Sequence, residues 1–410
     1  MEEYDSYTLP NGIRVLHKHV THTKIAHCGF TLDIGSRDEQ PHQQGIAHFW
    51  EHMAFKGTRK RKSFHILNRL EAVGGELNAF TTKEKISFHA SLLDEHFEKA
   101  VELLTDITFD SVFPERQIER ERNVILEEMA MYHDSPEDSI QDEFDAVVFD
   151  NHALGFNILG TTESVRSFHR DDFKKFIAEN LDTSRVVFSS VGNIPFSKVK
   201  KLADKHLASI PACSSARQRV PFAQYTPKNV LKTRSVTQAQ CAIGHTAYPL
   251  EHPNRLPFFM LINILGGPGM NSRLNLALRE KHGFVYSVEA TYTPYLDTAL
   301  TAIYFGTEPR QLEKSISLIN KELRLLREKQ MGTLQLHTAK EQLMGQLAMA
   351  EESNLSFMLM LGRSILDVNR VDSLPDIFAH IRRLTAGQLR DIANEMLDEA
   401  QTSYLTYLPE

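Results

Sequence analysis

Two histidines four residues apart, His48 and His52, frame a carboxylate in the stretch HFWEH (48–52), which also holds the only tryptophan of the chain, Trp50. On a helix, positions i and i+4 stack on one face, so both imidazoles can meet one ion. Glu51 sits beside them, placed to reach a water on that ion. A hydrolytic zinc takes three protein ligands and keeps one position open. A third ligand must then come from elsewhere in the chain. The same pattern also arises on an amphipathic helix that binds nothing.

The stretch IERERNVILEEMAMY (118–132) offers the third ligand. Ile118, Ile125, Met129 and Tyr132 form one apolar stripe at helical spacing. At about 100° per residue, Glu121 and Glu128 fall together at one edge of that stripe, while Glu127 points nearly opposite. Glu121 and Glu128 are therefore the pair that can be partly buried, and a buried carboxylate needs a cation or a hydrogen-bond partner. An exposed, Glu-rich helix gives the same spacing, so the two readings stand side by side.

The elements that must position these groups are legible as periodicity. Residues 13–34 alternate like strands, 45–56 and 63–73 read as helices, and 74–93 read as a turn and a strand pair. Residues 95–109 and 114–133 read as helices, 184–194 as a buried strand, and 196–208 as a helix. Residues 209–229 carry three prolines and three serines without apolar periodicity and read as a linker. A second pass follows, with a strand, a helix at 254–265, a Gly-rich turn, a helix, a strand pair at 283–306 and helices at 308–329 and 333–353. Two halves of like element order suggest a duplication. Two unrelated α+β domains pass the same test. The expected domains are 1–208, with the metal motif, and 230–410, joined by 209–229.

Composition narrows the function classes. The chain has 410 residues, a net charge of −7 and no long basic run, which argues against nucleic acid as a partner. Cys28, Cys213 and Cys241 are an odd set without CxxC spacing, which argues against a disulfide framework and fits a cytoplasmic protein. The acidic start MEEYDSYTLPNGIRVL resembles neither a signal nor a transit peptide, and no apolar run approaches the ~18 residues of a membrane span.

Taken together, these motifs resemble the pitrilysin-type zinc peptidases, whose inverted His-x-x-Glu-His order defines the inverzincins. The branch of the mitochondrial processing peptidase and its bacterial relatives is the most similar. The resemblance rests on GSRDEQPHQQGIAHFWEHMAFKGT (35–58), GGELNAFTTKEKISF (74–88), ERNVILEE (121–128) and LREKHGFVYSV (278–288), and runs over nearly the whole chain. It implies an α+β fold of two homologous α/β-sandwich domains that enclose a peptide-binding chamber. It implies one Zn2+ per chain on His48, His52 and Glu128, with Glu51 as general base and Glu121 orienting a ligand. Asn78 and Ala79 match substrate-binding positions on an edge strand, and Arg279 and Tyr286 match a pair that reaches the substrate carbonyl near the metal.

The implied activity is endopeptidase cleavage of extended or unfolded peptides, by a chain that carries both motifs and pairs with itself as a homodimer. The expected location is the bacterial cytoplasm, without membrane attachment. One position departs from the family pattern. Processing peptidases read a substrate arginine with two acidic residues in the segment matching DAVVFD (145–150), where this chain has Ala146 and Asp150. Targeting-peptide processing is thereby weakened against general degradation. A non-catalytic scaffold or peptide-binding subunit is the remaining alternative, and it sits badly with a complete metal motif.

Overall fold

Two sheets of the same strand order organise the chain. In the computed structural model the described residues are 4–410; the first three residues of the acidic start lie outside them. The first sheet has strands β1 (Asp5–Thr8), β2 (Arg14–His19), β3 (Ile25–Leu32), β4 (Glu76–Thr81), β5 (Ile86–Leu93) and β6 (Val186–Gly192), in the order β1-β2-β6-β3-β5-β4. β2 and β6 run parallel and the other neighbours antiparallel. The second sheet has β7 (Asn229–Arg234), β8 (Ala239–Thr246), β9 (Val285–Pro294), β10 (Ala299–Thr307) and β11 (Ser403–Pro409), in the order β7-β11-β8-β10-β9. Its β7 and β11 are parallel and the rest antiparallel. Apart from β1, the two sheets have one topology, as the repeated element order suggests. The fold is the expected pair of mixed α/β domains.

In the first unit, helices α1 (Ile46–Ala54), α2 (Ser63–Glu71) and α3 (Phe97–Phe109) and the start of α4 (Glu115–Asp134) accompany one face of the sheet. Their apolar sides meet Phe30, Phe88 and Phe188 in a continuous core. β6 is buried along its whole length, Ser189 and Ser190 included, as befits a strand covered on both faces. Its other face meets the helix Asn354–Val368, whose Phe357, Met358 and Leu361 pack on Leu16, Val187 and Val191. Gly362 allows the close approach, because a Cβ there would lie 2.5 Å from the Thr31 hydroxyl.

The second unit repeats this arrangement. The helices Arg255–Gly266 and Leu312–Glu328 pack on one face of its sheet. The helix Pro136–Val148 covers the other with Ile140, Phe144 and Val148 against Ala242, Leu300 and Tyr407.

Each sheet thus takes its second cover from a segment distant in sequence. One compact unit comprises 1–129, 156–219 and 349–373; the other comprises 130–155, 220–348 and 374–410. This differs from the contiguous division into 1–208 and 230–410 that the sequence suggests. The physical reason is that a sheet buried on both faces needs helices on both faces. The expected linker 209–229 has no regular element before Asn229, yet its residues are tied down. The half-buried Arg217 and Arg219 pair with Asp33 and Asp38 in the first unit. Phe222 and Tyr225 bond to Asp297 and Ser403 in the second.

Candidate metal centre

The helix α1 carries the first three groups. Its buried apolar residues Ile46, Ala47, Phe49, Trp50, Met53 and Ala54 face the core, and Trp50 packs against Phe88 and Phe176. That leaves His48, Glu51 and His52 at the margin of the apolar face. Nine residues are fewer than the ~12–15 an isolated helix needs, so packing and end contacts hold α1 in place. Its entry is Gly45, at φ 90°. A side chain there would be strained and would meet the Leu159 carbonyl at 2.5 Å.

On α4, Glu121 is buried, Glu128 is half-buried and Glu127 is exposed, the order the stripe argument gives. Ile118 and Ile125 are buried and Met129 partly so; Tyr132 stands exposed at the end of the stripe. The Glu128 Oε2 atom lies 3.8 Å from His48 Nε2 and 3.6 Å from His52 Nε2. One donor atom from each of the three side chains lies within 4.8 Å of the others, and among the described residues this is the one cluster able to hold a metal ion.

The donors suit zinc. Bond lengths near 2.0–2.1 Å in a tetrahedron place neighbouring ligand atoms roughly 3.3 Å apart. The separations here are close to that and too long for hydrogen bonds. Burial, reinforced by His52, lowers the His48 pKa to about 3, so His48 is a neutral imidazole with a free lone pair. Its buried Nδ1 has no hydrogen-bond partner. The ring of His52 is oriented instead by Glu121, whose Oε1 lies 3.0 Å from Nδ1. That contact leaves Nε2 facing Glu128, the arrangement that fixes a metal-binding tautomer. Burial would push the Glu121 carboxyl up, but its bonds to His52 and to Lys56, at 2.7 Å, hold it below the usual range.

Glu51 is held apart from this cluster. Its Oε2 accepts the Thr81 hydroxyl at 2.6 Å. Burial raises its pKa, against the opposing Thr81 hydrogen bond. A carboxyl tuned upward beside a metal site is suited to proton transfer. At the start of α1, the buried Glu39 carboxyl accepts the N–H groups of Gly45 and Ala47, both at 2.9 Å. Burial pushes it well above the usual range, while the two N–H donors and Lys83 act the other way.

Thr81, Lys56 and Glu39 are contributors that the sequence reading missed. Thr81 carried a signal: in a strand it shares a face with Leu77 and Ala79, both packed on the core beneath. Lys56 and Glu39 carried none, since Lys56 reaches Glu121 on α4, distant in sequence, and Glu39 acts across a turn that periodicity does not describe.

β4, which bears Asn78 and Ala79, is the edge of its sheet. Asn78 is exposed and its Oδ1 accepts the Ala79 N–H at 2.8 Å. Arg279 and Tyr286 belong to the other unit. Arg279 lies on a π-helical turn, Asn275–Glu280, and Tyr286 is the second residue of β9. The guanidinium sits 5.8 Å from the Tyr286 ring centre, and Tyr286 is 85% exposed. So exposed a tyrosine contributes little to a core.

Residues 14–162 match the model of the insulinase family, peptidase family M16, and 167–343 match that of the peptidase M16 inactive domain. An uncharacterised zinc protease of Bacillus subtilis is 32% identical over 393 residues, 96% of this chain and 95% of that protein. The chain belongs to the insulinase family, peptidase family M16. A second family member, an uncharacterised zinc protease of Streptomyces coelicolor, is 32% identical over 95% of this chain and 86% of its own length. Among solved structures, a peptidase M16 inactive domain from Pseudomonas fluorescens has a TM-score of 0.92 at 19% identity, covering 99% of this chain and 98% of that one. A protease from Helicobacter pylori has a TM-score of 0.89 at 21% identity, covering 99% of each. Both share the two-unit fold. The metal cluster falls in the part matching the insulinase model, and Arg279 and Tyr286 in the part matching the inactive-domain model.

The geometry separates two adjacent carboxylates. We predict that Glu128→Gln weakens metal binding by more than the roughly 10–100-fold that loss of an outer partner costs, while Glu127→Gln leaves it unchanged. Metal content after dialysis against a weak chelator measures both. Equal loss from the two variants refutes the assignment of Glu128.

Proposed function

We propose that this chain is a zinc-dependent endopeptidase that hydrolyses extended or unfolded peptides, with Glu51 as its general base. The observation that carries the reading is the convergence of His48, His52 and Glu128, with Glu51 beside them and bonded to Thr81 rather than to the cluster. The relatives named zinc proteases support it. A bound zinc supplies Lewis-acid polarisation of the attacking water and the scissile carbonyl. Glu51 accepts the proton of that water and returns it to the leaving amine. Glu121 keeps the His52 ring turned, and Thr81 keeps Glu51 from swinging onto the metal.

The free edge of β4 gives an extended substrate backbone a row of hydrogen-bonding groups beside Asn78 and Ala79. Arg279 and Tyr286, exposed on the second unit, are the groups this reading assigns to the substrate carbonyl. In this reading each chain binds one zinc and pairs with a second copy in the cytoplasm. Among the described residues no helix is long and apolar enough to cross a membrane. General degradation is favoured over targeting-peptide processing. Ala146 offers no charge to a substrate arginine, and Asp150 already pairs with Lys228 at 2.5 Å.

The test compares a disordered peptide of tens of residues with a stable folded domain containing the same segment. Edge pairing requires an unpaired backbone, and a domain stable by ~5 kcal/mol or more exposes one only rarely. Cleavage of the peptide is expected to be at least about 100-fold faster, to stop with chelator and to return with zinc. Similar rates on both substrates would refute the enclosed site, and zinc-independent cleavage would refute the metal mechanism.

A further inference from the structure

We infer that Glu39 is a positioning residue for the metal-bearing helix, its side chain gripping the first turn of α1 and setting how His48 and His52 face Glu128. The inference rests on the zinc reading above and adds a residue outside the cluster to it.

The N-cap of α1 is Gly45, which has no side chain to satisfy the open N–H groups of the first turn. Glu39 supplies both oxygens instead, one to Gly45 and one to Ala47, the residue before His48. Two bonds to two points on one turn fix rotation about the helix axis as well as depth along it. A single cap bond fixes less.

Glu39 is itself anchored. Only 4% exposed, it follows Asp38, whose carboxylate takes Arg217 at 3.0 Å and Arg219 at 2.8 Å and also the Gly35 N–H at 2.9 Å. The grip is therefore on a fixed point rather than a mobile loop. Apolar packing of Ile46, Ala47, Phe49 and Trp50 holds the same end, and the two Glu39 bonds add fixed polar points that packing alone does not supply. Ligand geometry tolerates only about 0.5 Å of error, and a slip by one residue turns a helix by about 100°.

The experiment uses the full chain and three variants, Glu39→Ala, Glu39→Gln and Asn11→Ala. Asn11 serves as a stability control, since its side chain donates to the Leu207 and Ile210 carbonyls in the same unit, away from α1. Zinc affinity is read by competition with a fluorescent chelator, the local environment by emission of Trp50, and stability by Tm. Glu39→Ala is expected to weaken zinc about tenfold and Glu39→Gln, which keeps one carbonyl acceptor, about threefold. Both Glu39 variants should alter Trp50 emission. Asn11→Ala should lower Tm with zinc affinity unchanged.

Folded Glu39→Ala with wild-type affinity overturns the inference, as does equal weakening in Asn11→Ala. Where Glu39→Ala does not fold, Glu39→Gln decides, and wild-type affinity in that variant overturns the inference. A wild-type chain that binds no zinc sinks the zinc reading and this inference together. A wild-type chain that binds, beside an unaffected variant, sinks this inference alone.

Discussion

Glu51→Gln is expected to lower kcat by about 10³-fold with zinc content and Tm nearly unchanged. Glutamine has the shape of glutamate and its amide oxygen still accepts the Thr81 hydroxyl, which lies 2.6 Å from Glu51 in the native chain. It cannot take a proton. The half-buried carboxyl of Glu51 is raised by burial, so in the variant the site loses a base tuned for the reaction while its packing is kept. General bases contribute about 10²–10⁴-fold, and the upper part of that range applies where no second base stands close to the attacking water. The other carboxylates of the site are engaged, Glu121 with His52 and Lys56, and Glu128 with the imidazole pair. Peptide cleavage and zinc analysis on the same preparation measure the effect. Retention of a tenth of the activity would show that another group takes the proton. Loss of zinc in the variant would show that Glu51 is a ligand, and the separation of roles would be wrong. The same experiment answers the scaffold alternative, since a non-catalytic subunit shows no cleavage for the variant to lose.

The site was legible where local periodicity decides geometry. A helix places His48, His52 and Glu51 in relation to one another whatever surrounds it, and the apolar stripe of α4 distinguishes Glu121 and Glu128 from Glu127. The topology was legible in part, because strand–helix order repeats. What the sequence hides is contact between distant segments. The helices Pro136–Val148 and Asn354–Val368 are amphipathic, and an amphipathic helix looks the same whichever sheet it covers, so the interleaving of the units carries no local mark. Thr81 reaches Glu51 only because β4 lies against α1. Arg217 and Arg219 sit in a stretch of Pro, Ser and polar residues that reads as solvated. They are half-buried because their charges are met by Asp33 and Asp38, and no pattern along the chain announces such a pairing.

That pairing carries the second large effect. Asp33→Asn is expected to destabilise the first unit by ~3 kcal/mol or more at pH 7, the usual cost of removing one partner from a buried charge pair. The Asp33 side chain is fully buried and accepts Lys85 at 2.9 Å, Arg219 at 3.0 Å and Arg217 at 3.1 Å, with Arg185 beside them. Asparagine keeps the volume but removes the charge, leaving several cations with fewer counter-charges in a poorly solvated place. Burial alone would raise the Asp33 pKa; Arg219, Lys85 and Arg185 outweigh it and hold the group well below the usual carboxylate range. A depressed folded-state pKa means stability that is fully present above the unfolded value of about 3.9 and lost as pH falls through the folded one. The gap between wild type and variant should therefore be constant from neutral pH down to about pH 5 and close progressively below about pH 4. Urea unfolding followed by Trp50 fluorescence measures it, because that single tryptophan lies in the unit concerned. A loss under ~1 kcal/mol at pH 7 would mean the cluster is satisfied without Asp33. A gap that stays constant into acid would mean that shape, not charge, is what Asp33 supplies. Either result would leave Asp38 as the charge that holds the linker arginines where they lie, against the loop that leads into the metal-bearing helix.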